Sequence, residues 1–132
     1  VSKVEDFWKA IGSYTKKLSV HDHDELFGKT SHMPHVIAYA IMDSLYQDLG
    51  DKAFLYSGGS LEDYTRIASS DPIMWKDIMV SNDKPILNSI ESFKRSLDKL
   101  SELIETNNTT GLIEFFSTVK TARDKSILGK KD

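Results

Sequence analysis

The sequence predicts an all-α, bundle-like fold. Three observations carry that prediction. Apolar residues recur at helical spacing along most of the chain, Asp71-Pro72 and Asn82-Asp83 mark helix starts, and Gly12, Gly50-Asp51 and Asn107-Asn108 mark helix stops or turns. Only residues 13–18 have strand character, and no second strand is in sight to pair with them.

Taken in order, Val4, Phe7, Trp8 and Ile11 form a helical stripe that ends at Gly12, a C-terminal cap. The orphan strand at 13–18 looks as if it belonged to a sheet outside this chain. From His21 to about Gln47 the pattern is helical again, interrupted by Pro34. Proline removes one backbone hydrogen bond, so a bend near Ser31 is expected. Turn signals follow at Ser57-Gly58-Gly59-Ser60, where glycine permits positive φ and a close approach of ligand to backbone. Leu61, Tyr64, Ile67 and Ala68 give a short amphipathic helix. Asp71 caps the next, with Pro72 pre-set for its first turn. The longest amphipathic helix opens at Asn82-Asp83 and carries Ile86, Leu87, Ile90, Phe93, Leu97, Leu100, Leu103 and Ile104. Thr109 or Thr110 starts a last helix with Leu112, Ile113, Phe116 and Val119, and the sequence turns polar and frays after Ala122. The stripe from 86 to 104 is too short for a coiled coil. The apolar faces are broad for so small a chain, which favours a homodimer.

Composition narrows the function classes. The chain has 132 residues, about one domain, with 39% apolar and 28% charged residues. A net charge of −3 is the wrong sign for a nucleic-acid binder, and Lys130-Lys131 is too small to form a basic patch. There are no cysteines, which excludes a disulfide scaffold and a cysteine nucleophile and suits a reducing cytoplasm. The longest apolar run, Val36 to Met42, is too short to span a bilayer. No secretory leader is recognisable, and a start at Val1 is what a fragment of a longer protein would show.

All four histidines cluster: His21, His23, His32 and His35. His32 and His35 are neighbours on one helix, and His23 lies about two and a half turns before His32. With Asp22 and Asp24 nearby, three readings stand: a metal site, a substrate-facing histidine pair, or plain helix-face histidines. The zincin spacing is absent and no further residue completes a tetrahedral set, so no metal site is assigned. Ser31 lacks the glycine-flanked elbow of a serine hydrolase. Arg66 has two readings as well. It pairs with Asp63 one turn back, or it presents a guanidinium fork to a carboxylate. Trp75 reads as a buried anchor.

Ser31-His32-Met33-Pro34-His35, then Gly58-Gly59, then the run from Asp63-Tyr64-Thr65-Arg66 through Ser70-Asp71-Pro72 to Trp75-Lys76-Asp77-Ile78 carry a resemblance. Their order resembles the C-terminal helical domain of the prephenate dehydrogenase family over about residues 20–125, and His23-Asp24 matches a family position too. The resemblance implies three parts. Residues 1–19 would be the last helix and strand of a nucleotide-binding domain, 20–125 the helical dimerisation and substrate domain, and 126–132 a linker or tail. Residues 123–132 are similar to the linker that precedes a regulatory ACT domain in some members, so truncation at both ends is expected.

The same resemblance implies an activity. Family enzymes oxidatively decarboxylate prephenate to 4-hydroxyphenylpyruvate in tyrosine biosynthesis, with NAD or NADP held by the nucleotide domain. Arg66 would bind a substrate carboxylate, and His35 would contact the substrate. His23, Ser31 and His32 would line the cleft, Gly59 would bring backbone toward the substrate, and Asp63 and Trp75 would close the pocket. No Gly-x-Gly-x-x-Gly follows a strand here, and the family's catalytic histidine belongs to the other domain. The expectation is therefore that this chain holds no cofactor and no catalytic residue of its own and is inactive alone. Two departures stand out: the family's Gly-Gly-Gly-Phe is Gly58-Gly59-Ser60-Leu61 here, and Glu62 replaces a commonly basic residue. Competing expectations are an arogenate dehydrogenase domain, a non-catalytic dimerisation module, and a metal-dependent hydrolase.

Overall fold

A computed structural model describes residues 1–128 of the chain. The described residues hold seven α-helices and no strand: α1 Ser2–Ala10, α2 Val20–Phe27, α3 Met33–Leu49, α4 Gly59–Thr65, α5 Pro72–Ser81, α6 Asp83–Glu105 and α7 Thr109–Leu128. The all-α prediction holds. The chain divides into two compact units, Val1–Ser89 and Ile90–Asp132, with the boundary inside α6.

In the first unit, α1 stops as its sequence requires. Gly12 takes φ +83, its N–H donates to the Lys9 carbonyl, and the Ser13 N–H donates to Trp8. Those two bonds close a Schellman cap. Residues 13–18, expected to carry a strand, form none, because a strand without a partner has no ladder to join. The segment is tied back by Lys17, which lies 3.0 Å from Glu5 on α1.

The bend expected near Ser31 is a π-helical turn over Gly28–His32 that joins α2 to α3. Pro34 has no N–H to offer and its ring would crowd the Thr30 carbonyl. The wider turn, closed by the Met33 N–H on the Gly28 carbonyl, moves Pro34 into the first turn of α3, where proline is tolerated. α3 is the organising helix of this unit, packing against the 3-10 turn Gly50–Phe54, α4 and the 3-10 turn Arg66–Ser69. The Tyr39 hydroxyl donates to the Ser70 carbonyl at 3.1 Å and pins α3 to the entry of α5. Asp71 caps α5 as predicted, accepting from the Ile73 and Met74 N–H groups at 2.8 and 2.9 Å. The buried apolar set is small: Met33, Ala38, Ala53, Trp75 and Ile86.

The second unit is a helical hairpin. α6 ends in another Schellman cap: Asn107 adopts φ +50, its N–H donates to Ile104, and the Asn108 N–H donates to Leu103. Asn108 then caps α7 by accepting from the Gly111 N–H at 2.9 Å. Leu103 approaches Gly111, and Lys99 lies 5.7 Å over the Phe115 ring. Contacts that move back along α6 as they move forward along α7 define an antiparallel pair. Fraying was expected after Ala122, but α7 continues to Leu128, supported by the Lys120–Asp124 ion pair at i,i+4. The end of the expected tail, residues 129–132, lies outside the described residues.

Candidate functional site

The site is built where the π-turn, α3 and the α5–α6 junction meet in the first unit. His35, in the first turn of α3, donates its Nδ1–H to the Ser31 carbonyl at 3.1 Å, which fixes its ring. Its other face stacks on Trp75, with centroids 3.8 Å apart and planes 26° apart. Trp75 is 6% exposed and also meets the edge of His32 at 6.2 Å. The buried-anchor reading of Trp75 therefore holds, and the tryptophan is at the same time a wall of the histidine cluster. Its indole Nε1 is buried with no hydrogen-bond partner among the described residues. A buried N–H left unpaired costs about 1–3 kcal/mol.

His32 is held from its other side by Asn82, the residue at the α5–α6 junction. Asn82 Nδ2 lies 3.1 Å from His32 Nδ1 and 2.9 Å from the carbonyl oxygen of Asp24 in α2. Gly28 makes this approach possible: a Cβ there would sit 2.8 Å from Pro85 Cβ and 3.4 Å from Asn82 Nδ2. His23 is exposed, 3.0 Å from the Asp24 carboxylate and tilted against Phe27. Burial is the main cause that lowers the His32 pKa from the ordinary 6.5. His23 and His35 push the same way, while Asp24 opposes them. His32 is thus a neutral imidazole near neutral pH. Asp24, His32 and Asn82 line a cavity of about 900 Å³ together with Asp71, the cap of α5, and Met74 and Asp77 of α5.

The remaining candidates sit elsewhere in the same unit. Arg66 opens the 3-10 turn after α4, is exposed, and makes no ion pair among the described residues; the alternative Asp63 pair is not formed. It lines a hollow of about 350 Å³ with Tyr39, Glu62, Thr65 and Ser69, which shares no lining residue with the larger cavity. Asp63 and Gly59 are exposed on α4. The Gly58-Gly59 turn was expected to use positive φ. Gly58 instead takes φ −86 and ψ 161 as the N-cap of α4, the extended conformation that a helix start demands. A Cβ at Gly59 would meet nothing within 4 Å, so open space adjoins that backbone. Ser31 is half-buried and contributes its carbonyl to His35.

The structure thus gathers His23, His32, His35 and Trp75, sets Arg66 at a second hollow, and leaves Asp63 and Gly59 exposed on α4 outside the lining of either. Among the described residues no group of three His, Cys, Asp or Glu side chains is arranged to hold a metal ion. Sequence reasoning missed Asn82 as a site residue. An asparagine between two helices reads as a cap, and nothing local announces partners 50 and 58 residues away.

The family described as prephenate dehydrogenase, dimerization domain, matches residues 19–118. A cyclohexadienyl dehydrogenase of Zymomonas mobilis is 36% identical over 126 residues, covering 93% of this chain and 43% of that protein. A prephenate dehydrogenase of Bacillus subtilis is 29% identical, covering 99% of this chain and 36% of its own length. Among solved structures, prephenate dehydrogenase from Aquifex aeolicus in complex with hydroxyphenyl propionate and NAD+ superposes with a TM-score of 0.87 at 38% identity, over 94% of this chain and 44% of that one. A Synechocystis arogenate dehydrogenase shares the fold, with a TM-score of 0.82 at 19% identity over 95% of this chain and 46% of that one. The chain spans less than half the length of each of these proteins.

Proposed function

Because the chain belongs to the prephenate dehydrogenase family through its dimerization domain, we propose that it is the substrate-binding and dimerising part of a prephenate dehydrogenase. The parent enzyme oxidatively decarboxylates prephenate to 4-hydroxyphenylpyruvate. Hydride leaves the ring carbon that bears the 4-hydroxyl and passes to NAD or NADP on the nucleotide domain, and carbon dioxide departs. This chain carries no dinucleotide fingerprint, so the cofactor is the other domain's to hold and the chain alone turns nothing over. The setting is cytoplasmic, and no helix among the described residues is long and apolar enough to cross a membrane.

The observation that best supports the reading is an exposed Arg66 without an ion pair among the described residues, in a chain whose family handles an acidic substrate. Prephenate is a dianion, and a protein of net charge −3 needs a local cation to hold it. A guanidinium offers two parallel N–H bonds to one carboxylate. His32 and His35 add imidazole groups for oxygen atoms, Asp63 and the Gly59 backbone border the Arg66 side, and Trp75 helps keep water from the reacting ring. Ser31 and His23 shape the rim.

A chimera tests this. The nucleotide-binding part of the Zymomonas relative, joined to this chain in place of its own C-terminal part, is expected to reduce NAD with prephenate. Arg66→Ala in that chimera is expected to lower kcat/KM by about 100-fold, in the range for loss of a charge-assisted bidentate contact, chiefly through KM. A folded, dimeric chimera that oxidises neither prephenate nor arogenate would overturn the proposal. A preference for arogenate would move the substrate and keep the site.

A further inference from the structure

Asn82 is 7% exposed, yet both neighbours of its amide nitrogen come from distant parts of the chain. A peptide carbonyl only accepts, so the Asn82 atom that faces the Asp24 carbonyl at 2.9 Å is the NH2 group and not the amide oxygen. That same nitrogen faces His32 Nδ1 at 3.1 Å. Two N–H groups would repel there. One amide hydrogen therefore goes to Asp24, the other goes to His32, and His32 Nδ1 is left without a proton.

We infer that Asn82 is a positioning residue that fixes His32 as its Nε2–H tautomer, so that the cavity lined by His32 is offered a neutral N–H donor. His32 Nε2 has no partner among the described residues, which leaves it available to an oxygen acceptor. A neutral donor suits this place. Burial already disfavours the imidazolium, and the charged or titratable groups around the ring are mixed: His23 and Asp24 from α2, His35 from α3, Asp71 at the cap of α5 and Asp77 within it. The donor's strength then stays constant through the neutral pH range. That the acceptor is a carboxylate, keto or hydroxyl oxygen of the substrate rests on the proposed function; the tautomer does not.

Long-range proton–nitrogen NMR on the ¹⁵N-histidine-labelled 132-residue chain reads this directly. His32 is assigned by its loss in His32→Gln. Above the histidine titration range the wild-type His32 is expected to show a bare Nδ1 and a protonated Nε2. Asn82→Asp, nearly isosteric, replaces the donor with an acceptor and is expected to move the proton to Nδ1 and raise the His32 pKa. Asn82→Ala is expected to leave a mixture of tautomers. A wild-type His32 protonated at Nδ1, or an unchanged tautomer in a folded Asn82→Asp, overturns the inference. Should either variant fail to fold, the wild-type spectrum decides. Because no ligand is present, an inactive chimera leaves this outcome untouched.

Discussion

At the scale of single residues, the lowered pKa of His32 predicts an acid-dependent contribution to stability. Its pKa is lowered, first by burial and then by His23 and His35, so the unfolded chain binds its proton more readily than the folded one. Stability contributed by this group is therefore complete above the ordinary value of 6.5 and is lost as pH falls through the lowered folded-state value. The expected outcome is a urea midpoint that drops between neutral and mildly acidic pH in the wild type, with a shallower drop in His32→Gln. Parallel curves for the two would assign the acid sensitivity to other groups. Asn82 could not be read this way from sequence. Its role depends on the approach of a carbonyl and an imidazole from far along the chain, and single-sequence patterns hold no record of such meetings. Trp75 was half legible. Its size and apolarity predict burial, but the stack on His35 is a tertiary fact.

At the scale of elements, what was legible is what is local. Asp71 at the start of α5, Gly12 after α1 and Asn107-Asn108 after α6 act over three to five residues, and each does what its chemistry predicts. The Pro34 bend belongs to the same class, although its form, a π-turn and not an open kink, depends on packing. Gly58 shows the limit. Glycine signals freedom, and freedom allows an N-cap as well as a positive-φ turn. The expected strand failed for the opposite reason, since strand propensity needs a partner that no local pattern supplies. Gly28 offers the sharpest test of element packing. Gly28→Ala drives a Cβ to 2.8 Å from the rigid Pro85 ring and against the doubly bonded Asn82 amide, so either the π-turn or the start of α6 must shift. The cost is expected to be about 1–3 kcal/mol by denaturant titration, in line with overpacking of a tight site. Gly58→Ala, where a Cβ meets nothing within 4 Å, is the control and should cost clearly less. Equal losses would place the sensitivity in glycine backbone freedom and not in the contact.

At the scale of the whole molecule, the balance of buried and exposed apolar surface is unlike that of a self-sufficient domain. Among the described residues only five apolar side chains are buried, and all belong to the first unit, Val1–Ser89. In the second unit the hairpin closes on half-buried Phe93, Leu100, Leu103, Leu112 and Phe115. It leaves Ile113, Phe116 and Val119 of α7 more than half exposed, spaced three residues apart along one helix. Burying such a stripe is worth about 1.5–3 kcal/mol per large side chain, and water is a poor permanent neighbour for it. A second copy of the chain is the occupant that the family's dimerization domain points to, and a two-fold arrangement would place the same stripe on both partners. The purified chain is therefore expected to sediment as a dimer at micromolar concentration. Ile113→Glu with Phe116→Glu should convert it to a monomer. Both positions are exposed within their own unit, so helicity by circular dichroism should survive the change. A double variant that stays dimeric would show that α7 lies outside the interface, and one that loses its helicity would show that the stripe supports the fold of a single chain.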